Sequence, residues 1–235
     1  MAVSIDTVYQ RVLAIANKEQ RGYITPQEFN LFANQAQQEI FEQYFYDLNQ
    51  FRRILGNDTT YADVDDILRE KMQVFEAVDD NTIINSYAGA FSVPLPDYIY
   101  RVIRIEFNGN KCEILNAIDF EEVKQNAPLI SPTSKRPMAN IKNNILTVII
   151  DNNDTTIPTN IFYYKKPVIV NWGYVVVNDK PLYNDNIAVN FELHPSEESE
   201  LVYRILAYAG IAIKDTQLTQ SAVGLEAAKV QQEKA

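Results

Sequence analysis

The chain has 235 residues, 46% of them apolar, with 31 acidic against 21 basic side chains and a formal charge of −10. So acidic a surface repels phosphate backbones and argues against tight nucleic-acid binding. One cysteine, Cys112, excludes an internal disulfide and a cysteine-rich metal site, and one histidine, His194, excludes histidine-based triads and histidine-rich metal centres.

A soft prior of about 150 residues per domain gives one domain with an appendage. Ile5, Val8, Val12 and Ile15 share one helical face, which predicts a first helix over Asp6–Lys18. A polar link at 19–23 leads to a long helix. Thr25 and Glu28 form a capping box, and Pro26 occupies the first helical position, where its missing N–H costs nothing. Phe29, Phe32, Ala36, Ile40, Tyr44, Leu48 and Phe51 then run as one stripe to about Ile54, with amides (Asn34, Gln35, Gln38, Gln43) on the opposite face. Gly56–Thr60 reads as the stop, and Asp63–Val78 as a third helix carrying Val64, Ile67, Leu68, Met72 and Phe75.

From about Ile83 the pattern turns to strands. Pro94 and Pro96 hold their neighbours extended, and Tyr98–Phe107 alternates with Ile99, Ile103, Ile105 and Phe107 on one face. Asn108-Gly109 is a hairpin signal, with Lys111–Leu115 as the returning strand. A short helix over Asp119–Asn126, a loop over Pro128–Pro137 and a second hairpin through Asn143-Asn144 follow, joining strands Met138–Lys142 and Ile145–Ile150. Asp151–Thr159 reads as a polar loop, Ile161–Lys166 as a strand, and Asn171–Val177 with Ile187–Leu193 as the end of a meander. Acids at 197–198 start a helix whose apolar stripe is Leu201, Val202, Ile205, Tyr208, Ala209 and Ala212. Residues 216–235 carry Leu218, Ala222, Leu225 and Ala228 but no aromatics, too little to hold a helix without a partner. The expected fold is therefore α+β: helices over 1–80 and 194–235 in one composite part, with a β-rich, meander or sandwich-like insertion over 81–193.

The survey for chemistry is largely negative. Asn17–Glu28 matches a calcium loop at Gly22, Ile24 and Glu28, but Arg21 sits at a ligand position and the capping box already explains Thr25 and Glu28. Asp63, Asp65 and Asp66 suit a helix start, and Asp151–Asp154 a solvated hairpin end, better than a cation site. Seven glycines supply no phosphate-binding fingerprint. Glu121-Glu122 and Glu197-Glu198 are adjacent, so neither pair faces itself across a helix as acid/base partners would. His194 beside Pro195 reads as a helix-start residue, Cys112 as a buried hydrophobe, and Lys135-Arg136 and Lys165-Lys166 as solvated charge. The expectation is no catalytic residue, no metal and no cofactor. No apolar run approaches the roughly 20 residues that span a bilayer, and no leader precedes Asp6, so synthesis and folding in the cytoplasm are expected.

Four motifs in order nevertheless resemble a known family: Ile24–Asn30 with Ala33–Gln37; Leu95-Pro96-Asp97-Tyr98; Tyr163–Pro167 followed by Trp172; and Phe191–Glu198 followed by Leu201–Ala212. Together they look like the head-to-tail adaptor, or ring, proteins of short-tailed bacteriophages, most of all those of crAss-like phages. The resemblance implies a virion structural protein that forms a ring, usually twelve-fold, beneath the portal. It implies portal contact through a C-terminal segment, here Leu218, Val223 and Leu225. The loops 128–137 and 151–159 would face the next tail ring or a fibre-bearing protein. A ring repeats one heterologous interface, which would cover the long helix; Asn34, Gln35 and Gln38 are the candidates for that contact. An acidic conduit would let DNA pass without binding. Alternatives are another tail component, such as a tail hub or fibre-attachment protein, and a carbohydrate-binding module using Trp172 and nearby tyrosines as its platform.

Overall fold

The computed structural model describes residues 3–18, 24–53, 59–87, 90–126, 131–150, 156–212 and 216–233. The calcium-loop positions 19–23, the turn at 56–58, parts of the loops at 127–130 and 151–155, and the side chain of Leu218 lie outside the described residues. In chain order the elements are α1 (Ile5–Lys18), α2 (Pro26–Arg53), α3 (Thr59–Gln73), β1 (Glu76–Tyr87), β2 (Ala90–Pro94), β3 (Ile99–Phe107), β4 (Asn110–Lys111), β5 (Glu113–Ile114) and α4 (Ala117–Asn126). There follow β6 (Met138–Lys142), β7 (Ile145–Ile149), β8 (Thr156–Lys165), β9 (Tyr174–Val177), β10 (Lys180–Tyr183), two 3-10 turns at Asp185–Ile187 and Pro195–Glu197, α5 (Glu198–Ala212) and α6 (Thr216–Glu233). The protein is α+β, and its contacts divide it into two units: Met1–Val74 with Pro167–Ala235, and Phe75–Lys166.

In the helical unit, α2 follows the capping box. The Thr25 backbone N–H donates to Glu28 Oε2 at 2.9 Å, and the Glu28 N–H donates back to Thr25 Oγ1 at 3.2 Å. Its 28 residues span about 42 Å. The predicted stripe is buried at Phe29, Ala36, Ile40, Tyr44 and Leu48, and a second row (Ala33, Gln37, Phe41, Phe45) is buried beside it. The helix is therefore covered on a wider arc than one stripe. The C-terminal helices return to the N-terminal ones, α5 lying against both α1 and α2. The third helix ends sooner than its periodicity suggests: Phe75 is buried, but from Glu76 onward the chain is strand.

The other unit is one eight-stranded sheet, ordered β4-β3-β8-β1-β2-β7-β6-β5. Its pairs are antiparallel except β5 with β6. The hairpin turns at Asn108-Gly109 and Asn143-Asn144 have positive φ at both central positions (48° and 76°; 52° and 58°), the geometry that matches strand twist. The edge strands β4 and β5 belong to one five-residue segment. Asn110–Lys111 pairs with β3, the Cys112 N–H donates to the Ile105 carbonyl at 2.8 Å, and Glu113–Ile114 pairs with β6. One short segment thus joins both edges, and the sheet closes on itself as a barrel. The side chains agree: Phe91 of β2 and Phe107 of β3 are 5.3 Å apart between ring centroids. Three strand spacings in a flat sheet would separate them by about 14 Å. The interior is filled by Phe91, Leu95, Ile105, Phe107, Cys112, Ala139, Leu146, Val148, Ile150, Ile161 and Tyr163.

Three sequence expectations change here. Ile103 does not share the face of Ile105: the β3 register shifts between Ile99 and Arg101 and again between Val102 and Arg104, so Val102 packs inward and Ile103 stays 46% exposed. Thr156–Thr159, read as loop, belongs to β8, and Pro158 is tolerated because β3 pairing stops at Thr159, leaving it on an edge. Residues 167–193, placed in the β region by their sequence, belong to the helical unit, and β9 and β10 form a separate two-stranded sheet there. Burial pushes the Cys112 thiol up to about 12. The thiol should react with a disulfide reagent in native buffer only as fast as the barrel opens, and stoichiometrically in denaturant. Rapid native labelling would show that the 110–114 closure is not maintained.

Candidate functional site

The amide face of α2 is used by the chain itself. Asn34 Oδ1 accepts the Val170 N–H at 2.9 Å, and its Nδ2 donates to the Val170 carbonyl at 2.9 Å. Asn30 accepts the Trp172 N–H at 2.7 Å, and Gln37 donates to the Val168 carbonyl at 2.7 Å while accepting the Glu192 N–H at 3.2 Å. These amides recur at helical spacing, whereas their partners recur every second residue. From Asn30 to Asn34 four helical residues rise about 6 Å and from Asn34 to Gln37 three rise about 4.5 Å, against about 6.6 Å for two extended residues, and the long side-chain amides span the difference. Side-chain amides thus stand in for a sheet edge, and the returning strand is held against a helix. Of the inter-subunit candidates, Asn34 is spent in this ladder. Gln35 and Gln38 donate to Glu39 and Glu42 one turn on.

The strap fixes Trp172, which is 2% exposed. Its indole N–H donates to Asp6 Oδ1 at 2.9 Å, Tyr9 lies 4.1 Å from it, and Tyr174 and Tyr183 flank it at 5.8 and 5.7 Å. Its faces are occupied, so it offers no platform for a sugar. Gly173 is required beside it, because a Cβ there would meet the Ala188 nitrogen and the Asn184 carbonyl oxygen at 2.8 Å. Beyond the tyrosines, β9 and β10 turn at Asn178-Asp179 (φ 51° and 61°) and expose Val175, Val176, Val177 and Leu182.

A buried ion cluster joins four helices. Lys71 of α3 meets Glu197 at 2.6 Å, and Arg204 of α5 meets Glu200 at 2.7 Å and Glu39 of α2 at 3.3 Å. Arg204 also donates to Gln43. From α6, Glu226 reaches Arg204 at 3.2 Å, and Lys229 reaches both Glu197 and Glu200 at 3.4 Å. Glu197 and Glu200 are 1% and 4% exposed. Burial raises the Glu197 carboxyl, but Lys71 and Lys229 outweigh it and hold the group below 4.5. Burial dominates at Glu200 and, with Glu197 beside it, keeps that carboxyl above 4.5. Sequence reading considered the neighbours Glu197-Glu198 and missed Glu200. The available signal was Glu197-x-x-Glu200-x-x-x-Arg204, which places all three on one helical face. Glu198 points elsewhere, to Arg11 at 3.0 Å. His194 caps the turn before α5, its Nδ1 accepting the Ser196 N–H at 3.3 Å.

The portal-contact candidates lie on α6, which is a helix packed on α5 rather than a tail awaiting a partner. Val223 and Leu225 are 49% and 51% exposed. An open hollow of about 510 Å³, lined by Glu39, Glu42, Gln43, Tyr46, Asp47 and Arg204, borders the ion cluster. Among the described residues, no group of His, Cys, Asp and Glu is arranged to hold a metal ion, and no helix is long and apolar enough to cross a membrane. The sequence matches no known protein-family model, and no curated protein shows significant similarity to it.

Two outcomes are expected. Asn34→Ala strands both polar groups of Val170 and should lower stability by about 1–3 kcal/mol in denaturant unfolding, with Gln38→Ala close to neutral. Glu197 has a depressed carboxyl, so its contribution is present above about pH 4.5 and is lost as the pH falls through the folded value. Glu197→Gln should therefore be the less stable protein at pH 7, by about 3–5 kcal/mol, and show a shallower loss of Tm toward pH 3 than the wild type.

Proposed function

We propose that the chain is a non-enzymatic virion structural protein, a subunit of the ring that joins a phage portal to the tail and surrounds part of the DNA conduit. The order of the four sequence motifs supports this reading. The structural observation that carries it is the β9–β10 arm. Val175, Val176, Val177 and Leu182 are 46–61% exposed on a two-stranded sheet. Such a hairpin is marginal by itself, and contiguous exposed apolar groups mark a protein contact. A neighbouring subunit would cover the arm. Val223 and Leu225 on α6 supply a second exposed apolar pair for the portal. An acidic chain lining a conduit would repel rather than retain DNA.

Size-exclusion chromatography with light scattering, with and without portal protein, tests the reading. A closed oligomer, alone or assembled only on the portal, is expected. Val175→Asp/Val177→Asp should weaken assembly by about tenfold or more while leaving the monomer folded. A protein that stays monomeric at all concentrations and does not bind the portal would overturn the proposal, as would a basic lumen in an image of the assembled ring.

A further inference from the structure

We infer that α6 is a detachable helix, held against α5 by ion pairs of both signs whose loss leaves the net charge of the buried cluster unchanged. This goes beyond the ring reading and does not depend on it. Over its described side chains, residues 220–229 and 231, α6 buries one apolar residue, Ala222. Val223 and Leu225 face outward. Its firm contacts are polar: Glu226 on Arg204 at 3.2 Å, and Lys229 on Glu197 and Glu200 at 3.4 Å and on the Ser196 carbonyl at 3.2 Å.

Removing one member of a buried ion pair is costly because the other stays buried and uncompensated. α6 avoids that penalty by carrying both signs. When it leaves, one acid and one base depart together. Lys71 remains against Glu197, and Arg204 remains against Glu200 and Glu39. Glu226 and Lys229 are three residues apart and can pair with each other on the free helix. The net charge of the cluster beneath is the same in both states, and over its described side chains α6 buries little apolar surface. Local opening of α6 therefore lies well below global unfolding.

Hydrogen exchange read by mass spectrometry on the full chain tests this. Lys229→Glu sets a third carboxylate against Glu197 and Glu200, and Glu226→Lys sets a cation against Arg204. In each variant exchange over 216–233 should rise by at least about tenfold, while α5 and α2 change by less than about twofold. Val223→Ser, a change at an exposed position, should leave α6 protection at the wild-type level. Loss of protection in α5 together with α6 would make them one cooperative unit and overturn the inference. So would unchanged exchange in both charge variants, or release of α6 by Val223→Ser.

Discussion

Neutralising buried charge is the constraint on which the helical unit depends. Glu197, Glu200, Lys71 and Arg204 are each less than 9% exposed, and a buried ion without a partner costs several kcal/mol. Each is therefore met by an opposite charge, Glu200 and Arg204 by one another on α5 and the rest from other elements. Those pairs join α3 to the turn before α5 through Lys71 and α2 to α5 through Glu39 and Gln43, while α6 adds Lys229 and Glu226 together. Apolar burial along α1, α2 and α5 supplies most of the favourable free energy, but it is not directional. The ion cluster adds direction, because guanidinium and carboxylate groups pair in few geometries.

The amide ladder solves a related problem for the backbone. Within residues 168–172 the backbone ladder is limited to an isolated antiparallel bridge between Asn171 and Val189. Their polar groups would be costly if left unmade near the core. Asn30, Asn34 and Gln37 present amide groups at nearly the repeat an edge strand would, so α2 serves as the missing edge. Barrel closure meets the same demand in the other unit, where a segment of five residues satisfies both open edges and encloses Cys112. The β9–β10 arm keeps both outer strand edges and four apolar side chains open to solvent, and the proposed function places its subunit contact there.

What was legible in the sequence was local. The α2 capping box, the two Asn-containing turns, the cap at His194 and most of the apolar stripes of α1, α2 and α5 depend on residues within about four positions of each other, and these formed as expected, except that Ile15 of the α1 stripe is 39% exposed. Errors arose where a distant partner overrode the local pattern. The β3 bulges turned Ile103 outward although its alternation placed it inward. The carbohydrate-binding alternative took Trp172 and its tyrosines as a platform, and only the positions of Tyr9 and Asp6 show that the ring is packed. In α6 the absence of an aromatic stripe was real, but a helix can dock through charge, and Glu226 and Lys229 do not announce which carboxylates and guanidinium they will meet.

The sequence by itself determined five of the six helices, most strands, two of the hairpin turns and the α+β class, because these follow from backbone preference and short-range periodicity. Only the tertiary structure decided that the sheet closes, that 167–193 leaves the β unit, that the amides of α2 bind their own chain, and that Glu200 rather than Glu198 joins Glu197. Each of these depends on groups more than 20 residues apart or on which face of a helix is covered. Pairing energies at such separations depend on burial and geometry, which composition and spacing do not encode.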